Sequence, residues 1–370
     1  MGKDSSNIYH YQPAQWLAYV ALFAVLAAIP GFGIDVFELN LYARYAVYAM
    51  LAVSVSMVWG FGGILSLGQG IPFGIAAYCM GATMQMQFQD PEFDPIPSFM
   101  LTNELEALPT VWEPFWNTSV GLILAIGLPT LFMAVFGILM FQARLAGAFV
   151  AIMTLAMLNA WYSVAYDMQP YTAGFNGISP PNPFKAFDTP VDPYSLMIYW
   201  IAIGVLAVVT LFSKYLMESK FGTVVQATRD DAERVRFLGY SVAYYQVVVF
   251  VFAGLIATLA GMIWVMTVQY VSPTLLETPF SIYMVIWAAV GGRHSLFGAI
   301  IAAIVLNGLQ SYLGDISEIW QKAWLLVLGG IFVGVVLFLP RGLAGLIEKV
   351  LSYVPFRFGR RATRPERAAG

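Results

Sequence analysis

The sequence predicts an all-α protein, a polytopic transmembrane helical bundle of about ten spans with both termini cytoplasmic. Composition is the first ground: of 370 residues 59% are apolar, and the mean hydropathy is +0.73. Charge is the second, since Lys, Arg, Asp and Glu make up 11% of the chain, against about 25% in a soluble domain. The third is that apolar runs of membrane-spanning length recur from end to end. A soluble globular fold is excluded. A net charge of −3 with no dominant basic face excludes a nucleic-acid binder. The single cysteine, Cys79, permits no intrachain disulfide and no cysteine metal cluster, and His10 and His294 have no ligand spacing.

A bilayer core of about 30 Å takes ~20 apolar residues per helix. Spans are predicted at 16–33, 39–60, 64–86, 118–141, 146–166, 194–215, 243–268, 281–291, 296–313 and 323–339. No basic cluster precedes the first and no small-x-small site follows it cleanly, so it reads as a retained span rather than a removed signal. The second carries Arg44 near its outer end, where it can snorkel toward water. The third opens on a run rich in glycine with Pro72, and 62–74 is predicted to depart from regular helix. The eighth is too short to cross at 1.5 Å per residue; it either extends into its polar flanks or is a broken helix lining a cavity.

Orientation follows Lys and Arg. Lys214, Lys220, Arg229, Arg234 and Arg236 cluster between the sixth and seventh spans, and seven more basic residues follow the tenth. Residues 89–116 hold no basic residue and six acids. The basic segments are placed inside and 89–117 outside; Lys185, beside Asp188 and Asp192, falls in a second outer loop, 169–193. Both outer loops are rich in proline and are predicted as ordered, non-helical caps, either a lid or a docking surface. Phe99, Trp112, Phe115 and Trp116 suit the membrane interface. The permease domain is taken as 1–346, followed by a basic cytoplasmic tail, 347–370.

Residues 62–67 and 291–296 share a GGxxSL pattern, each ahead of an outward span. An internal repeat and independent close packing both account for it.

No GxxxxGK[ST], GxSxG, HExxH or CxxC occurs. No cofactor, metal or catalytic residue is predicted, and the energy for uphill transport must come from another chain. Within the spans the polar residues are neutral. Ser66, Gln69 and Gly70 lie in the glycine-rich run, and Thr154 and Asn159 in the fifth span. They either border a path for a small hydrogen-bonding solute or serve helix packing and interhelical hydrogen bonds.

The inner segment 219–240 is amphipathic, with Arg229, Asp230, Glu233, Arg234 and Arg236 on its polar side. Asp230 with Arg234, and Glu233 with Arg236 or Arg229, are placed to support one short helix over 222–239, ended by Gly239. Mixed signs fit a partner's groove better than anionic lipid.

The blocks SKFG…ATRDDAERVRFLGY, AGLIATLAGMIW, WAAVGGRHSLFGAIIAAIVLNG and FLPRGLAGL, with GILSLGQGIPFGIAAYCMGA before them, resemble the M-like permease subunit of branched-chain amino-acid and urea type ABC importers. The first outer loop and RDDAERVRFLGY look more like the urea-type permease. Gln69 stands where the family commonly has His, and His294 where it commonly has Gly. The resemblance implies a second homologous permease subunit, two cytoplasmic ABC ATPase subunits, a periplasmic solute-binding protein and the lipid of a bacterial inner membrane. It makes Arg229, Asp230, Glu233, Arg234 and Arg236 the ATPase-coupling residues. The expected cargo is urea or a short amide, with a branched-chain amino acid as the alternative and a passive urea or amide channel as a third reading.

Overall fold

Long apolar stretches of this chain are helical, and the breaks fall where side-chain hydroxyls, carboxylates or glycines offer the backbone another partner or conformation. The computed structural model describes residues 12–90, 92–186, 189–339 and 342–345, with side chains from residue 16. The predicted tail 347–370 and its arginines lie outside the described residues.

Helix α1 (Gln12–Ala28) runs into a 3-10 turn, Ile29–Phe32. Helix α2 (Val36–Val55) starts after Asp35, whose Oδ1 accepts from the Val36 N–H, and closes in a π-helical turn, Ser56–Phe61. Residues 62–69 are not helical, and α3 is Gly70–Met86. The third predicted span, 64–86, is therefore corrected at its start, and the predicted departure from regular helix over 62–74 ends at 69, since 70–74 already belong to α3. Pro72 falls in the first turn of α3, where a missing N–H costs no helical bond.

Helix α4 (Ser98–Thr102) precedes α5 (Thr118–Gln142), which Asn117 caps by accepting from the N–H groups of Ser119 and Val120. Then come α6 (Ala148–Asp167), α7 (Gln169–Thr172) and a hairpin of β1 (Phe184–Ala186) and β2 (Thr189–Val191), with Phe184 opposite Val191. The outer loops are thus ordered, but not non-helical and not free of sheet: α4, α7 and the 3-10 turns Glu113–Trp116 and Gly174–Asn176 fill them. Their prolines at first-turn positions start short helices instead of preventing them.

Next are α8 (Leu196–Glu218), α9 (Lys220–Asp230), α10 (Ala232–Phe237) and α11 (Val242–Val268). After a 3-10 turn, Pro273–Leu276, follow α12 (Thr278–Gly291), α13 (Leu296–Ile316), α14 (Glu318–Lys322) and α15 (Trp324–Phe338). Among the described residues six helices are long and apolar enough to cross a membrane: Val36–Phe61, Thr118–Gln142, Ala148–Asp167, Leu196–Glu218, Val242–Val268 and Leu296–Ile316. Trp16–Phe32, Thr278–Gly291 and Trp324–Phe338 are apolar but shorter. The eighth predicted span gains three residues at its start, reaching only about 21 Å.

Helix α2 is central, packed by α8, α11, α12 and α13, while α3 and α5 close on α11. Backbone-to-backbone approach needs glycine at two crossings. A Cβ on Gly261 of α11 would sit 2.2 Å from the Phe73 oxygen of α3, and one on Gly298 of α13 would sit 2.0 Å from the Gly291 oxygen of α12. The GGxxSL echo has a conformational counterpart, since Gly63 and Gly292 both take positive φ, +70° and +104°. At the inner end of α8, buried Lys214 lies over the rings of Trp16 (4.3 Å) and Tyr19 (4.5 Å) and pairs with Glu218, which pins α1 to the bundle.

The crossing of α12 and α13 yields a test. Gly298→Ala forces a contact that typically costs about 1–3 kcal/mol and lowers the melting temperature of the detergent-purified protein. Gly204→Ala on α8, where nothing lies within 4 Å, leaves it unchanged or raises it. Equal melting temperatures for both variants refute the close crossing.

Candidate functional site

The non-helical segment 62–69 runs from exposed Gly63 to buried Gln69, so its backbone groups need partners. Thr154 of α6 accepts from the Leu67 N–H through Oγ1 (3.1 Å), and Ser281 of α12 donates to the Leu67 oxygen. Ser66 Oγ accepts from the Gly68 N–H, and Ile71 N–H donates to the Gly68 oxygen. Hydroxyls on two neighbouring helices thus take over from the missing helical bonds.

The same crossing brings two helix starts together. A Cβ on Gly70, at the start of α3, would lie 3.0 Å from Leu158 Cδ1 of α6 and 3.4 Å from the Leu275 oxygen ahead of α12. Thr278, the first residue of α12, donates to Asn159 Oδ1 of α6 (3.1 Å). Ser54 Oγ of α2 reaches the Ala253 oxygen (2.7 Å) and Gln69 Oε1 (3.2 Å). Gln69 Nε2 is buried and has no partner among the described residues. Ser66, Gln69, Gly70, Thr154 and Asn159, far apart in sequence, are therefore assembled around one crossing. Ser54, Thr278 and Ser281 belong with them. Sequence reading passed over these three because single hydroxyls in apolar runs have no motif.

The inner segment is two helices rather than the one predicted over 222–239. Asp231 is extended (φ −156°, ψ 92°) and caps α10 by accepting from the Arg234 N–H. That cap changes the ion pairing. Arg234 pairs with Asp231 (2.8 Å), not with Asp230, while Arg236 pairs with Glu233 as expected. Asp230 pairs instead with Arg229 (2.9 Å). Gly239 ends the segment at φ +87°.

Arg229 faces the bundle. Its Nη1 donates to the Gly60 oxygen (2.9 Å) at the end of the π-helical turn, and its side chain covers Gly63. Gly60 in turn abuts the Arg293 backbone, where a Cβ would lie 1.6 Å from the carbonyl oxygen. One guanidinium thus joins α9, the end of α2 and the start of 62–69, beside the turn between α12 and α13. His294 in that turn is held below the ordinary imidazole value, first by desolvation and then by the charges of Arg229 and Arg293, so it is neutral near pH 7. Phe221 stacks on Tyr245 of α11, and Val225 and Val235 are buried. Phe237 is 89% exposed, and Leu238 is 75% exposed. Together with Glu233 and Arg234 they form the outward side.

Residues 38–336 match the family model described as branched-chain amino acid transport system / permease component. The high-affinity branched-chain amino acid transport system permease protein LivM of Salmonella typhimurium is 25% identical over 360 residues, covering 91% of this chain and 77% of the relative. The Escherichia coli protein of the same name is 26% identical over 367 residues, with the same coverage. A probable branched-chain amino acid transport permease protein LivM of Methanocaldococcus jannaschii is 22% identical over 331 residues, covering 85% and 94%. No solved structure matches.

Thr154→Val should leave the Leu67 N–H buried and unpaired, a loss of about 1–3 kcal/mol, while Thr154→Ser keeps the acceptor. Thermal unfolding in detergent should show a lower melting temperature for the valine variant only. Arg229→Ala should lower it as well, and an unchanged value there would break the proposed link to Gly60.

Proposed function

We propose that this chain, which belongs to the branched-chain amino acid transport system permease component family, is the membrane permease subunit of an ATP-driven importer of branched-chain amino acids. The observation that carries the reading is the family match over 38–336, which takes in the 62–69 crossing and both inner helices. Family members are membrane transport components rather than enzymes, and the several long apolar helices suit a multi-pass protein. The family implies a bacterial inner membrane.

Urea or a short amide, the first expectation from the outer loop and the inner motif, gives way to the branched-chain reading. The relatives above are named for branched-chain amino acid transport. A passive channel finds no support in the family.

The remaining parts of the machine are proposals on the same footing. The chain works with a second homologous permease, two cytoplasmic ATPase subunits and a periplasmic solute-binding protein, with about ten membrane passages and both termini inside. The outward side of α9 and α10, with Asp230, Glu233, Arg234, Arg236, Phe237 and Leu238, docks on an ATPase subunit. Arg229 carries the motion inward to Gly60 and Gly63, and so to 62–69. Ser66, Gln69, Gly70, Thr154 and Asn159 then border the solute path, which opens or closes as that segment shifts against α6 and α12.

Proteoliposomes holding the full assembly, supplied with binding protein and ATP, should accumulate radiolabelled leucine, isoleucine and valine but not urea or acetamide. Uptake of urea without leucine would return the urea-type reading. Phe237→Glu, an exposed change, should abolish uptake while the melting temperature of the permease holds. Undiminished uptake by that variant would remove α10 from the docking surface.

A further inference from the structure

Helix α2 is buried almost throughout because α8, α11, α12 and α13 surround it. Between Ala43 and Val58 only Arg44 and Tyr48 keep partial exposure. They are one turn apart on the same face. Tyr48 touches Trp264 of α11 (ring centroids 5.4 Å apart) and Phe280 and Trp287 of α12 (6.4 and 5.0 Å). Phe73 of α3 closes the cluster against Trp264 and Phe280. Trp264 and Phe280 are also partly exposed. The partly exposed faces of α2, α11 and α12 thus meet around the Tyr48 ring.

Arg44 is held from behind. Its Nε donates to Asn40 Oδ1 (2.9 Å), and Asn40 Nδ2 donates to the Pro193 oxygen (2.7 Å) and the Thr267 oxygen (2.9 Å). Asn40 is 1% exposed, so this is a buried support that fixes the guanidinium's direction. Among the described residues the two Nη groups make no hydrogen bond and no ion pair. A guanidinium so placed presents a planar fork suited to a carboxylate. A cation inside a bundle without an anion is costly and marks a functional position.

We propose that Arg44 is a carboxylate-binding residue beside this aromatic cluster, and that its ligand is a small carboxylate whose apolar side chain rests on the Tyr48, Trp264, Phe280 and Trp287 rings. The proposal rests on the branched-chain reading and adds to it where the cargo's charged end is held. The pair Asn40 and Arg44 is a positioning residue and its contact residue. Arg44→Lys keeps the charge and loses the fork, whereas Arg44→Gln loses both.

The test is equilibrium binding of radiolabelled leucine to the purified permease assembly without the binding protein, alongside uptake by the complete system. A charge-assisted hydrogen bond of this kind is worth roughly tenfold or more in affinity. Arg44→Gln should weaken leucine binding by that factor, and Arg44→Lys by less. On the wild type, valine should displace leucine and leucinamide, which lacks the carboxylate, should not. Unchanged binding in Arg44→Gln, displacement by leucinamide as readily as by valine, or no saturable leucine binding in a wild type that imports leucine would each overturn the site and leave the transport reading standing. A wild type that imports urea and not leucine would overturn the transport reading, and the site with it. Should Arg44→Gln fail to accumulate, Arg44→Lys and the wild-type displacement decide.

Discussion

A chain that leaves the helical ladder where water is excluded must pair its N–H and C=O groups with something else, or lose several kcal/mol for each one. Residues 62–69 are in that position, and the arrangement of α3, α6 and α12 follows from it. Thr154 and Ser281 meet the Leu67 backbone from opposite neighbours, which fixes α6 and α12 against the start of α3. Gly70 lets α6 and the turn ahead of α12 close over that start. The break is thus a joint defined by two hydroxyls.

Few bonds hold this joint, one hydroxyl from each neighbouring helix. Arg229 ties α9 to this segment, since its guanidinium holds the Gly60 carbonyl and lies over Gly63. The inner helices therefore have two sides with different tasks. Phe221, Val225, Thr228 and Val235 hold the bundle, while the charges of Glu233 and Arg234 lie exposed with Phe237 and Leu238. The extended residue Asp231 separates the helices and allows both sides to form.

The other end of α2 has its own fixed point in Asn40. Its amide binds the chain before α8 and the end of α11, and its oxygen receives Arg44. Sequence reading took Arg44 as a snorkelling residue, since an arginine near a span end usually finds water. Asn40 adds a buried support for its Nε, while the residue keeps partial exposure.

The helical bundle was legible in the sequence because apolar runs in lipid have one economical backbone state, with every polar group paired within its own helix. The departure from helix near Gly63, the inner amphipathic segment and the grouping of Ser66 with Gln69 were legible too, because glycine, proline and charge patterns act locally. Tertiary structure alone decided the rest. Whether Thr154 and Asn159 meet the glycine-rich run depends on α6 lying beside residues more than eighty positions earlier, and no local pattern encodes that. Asp231 rather than Asp230 pairs with Arg234 because a cap turns the chain, which a helical spacing rule does not foresee. Ser54, Thr278 and Ser281 became visible only when folding set them opposite Gln69 Oε1, Asn159 Oδ1 and the Leu67 oxygen. A hydroxyl's role is set by what it faces, and that is a property of the packed structure.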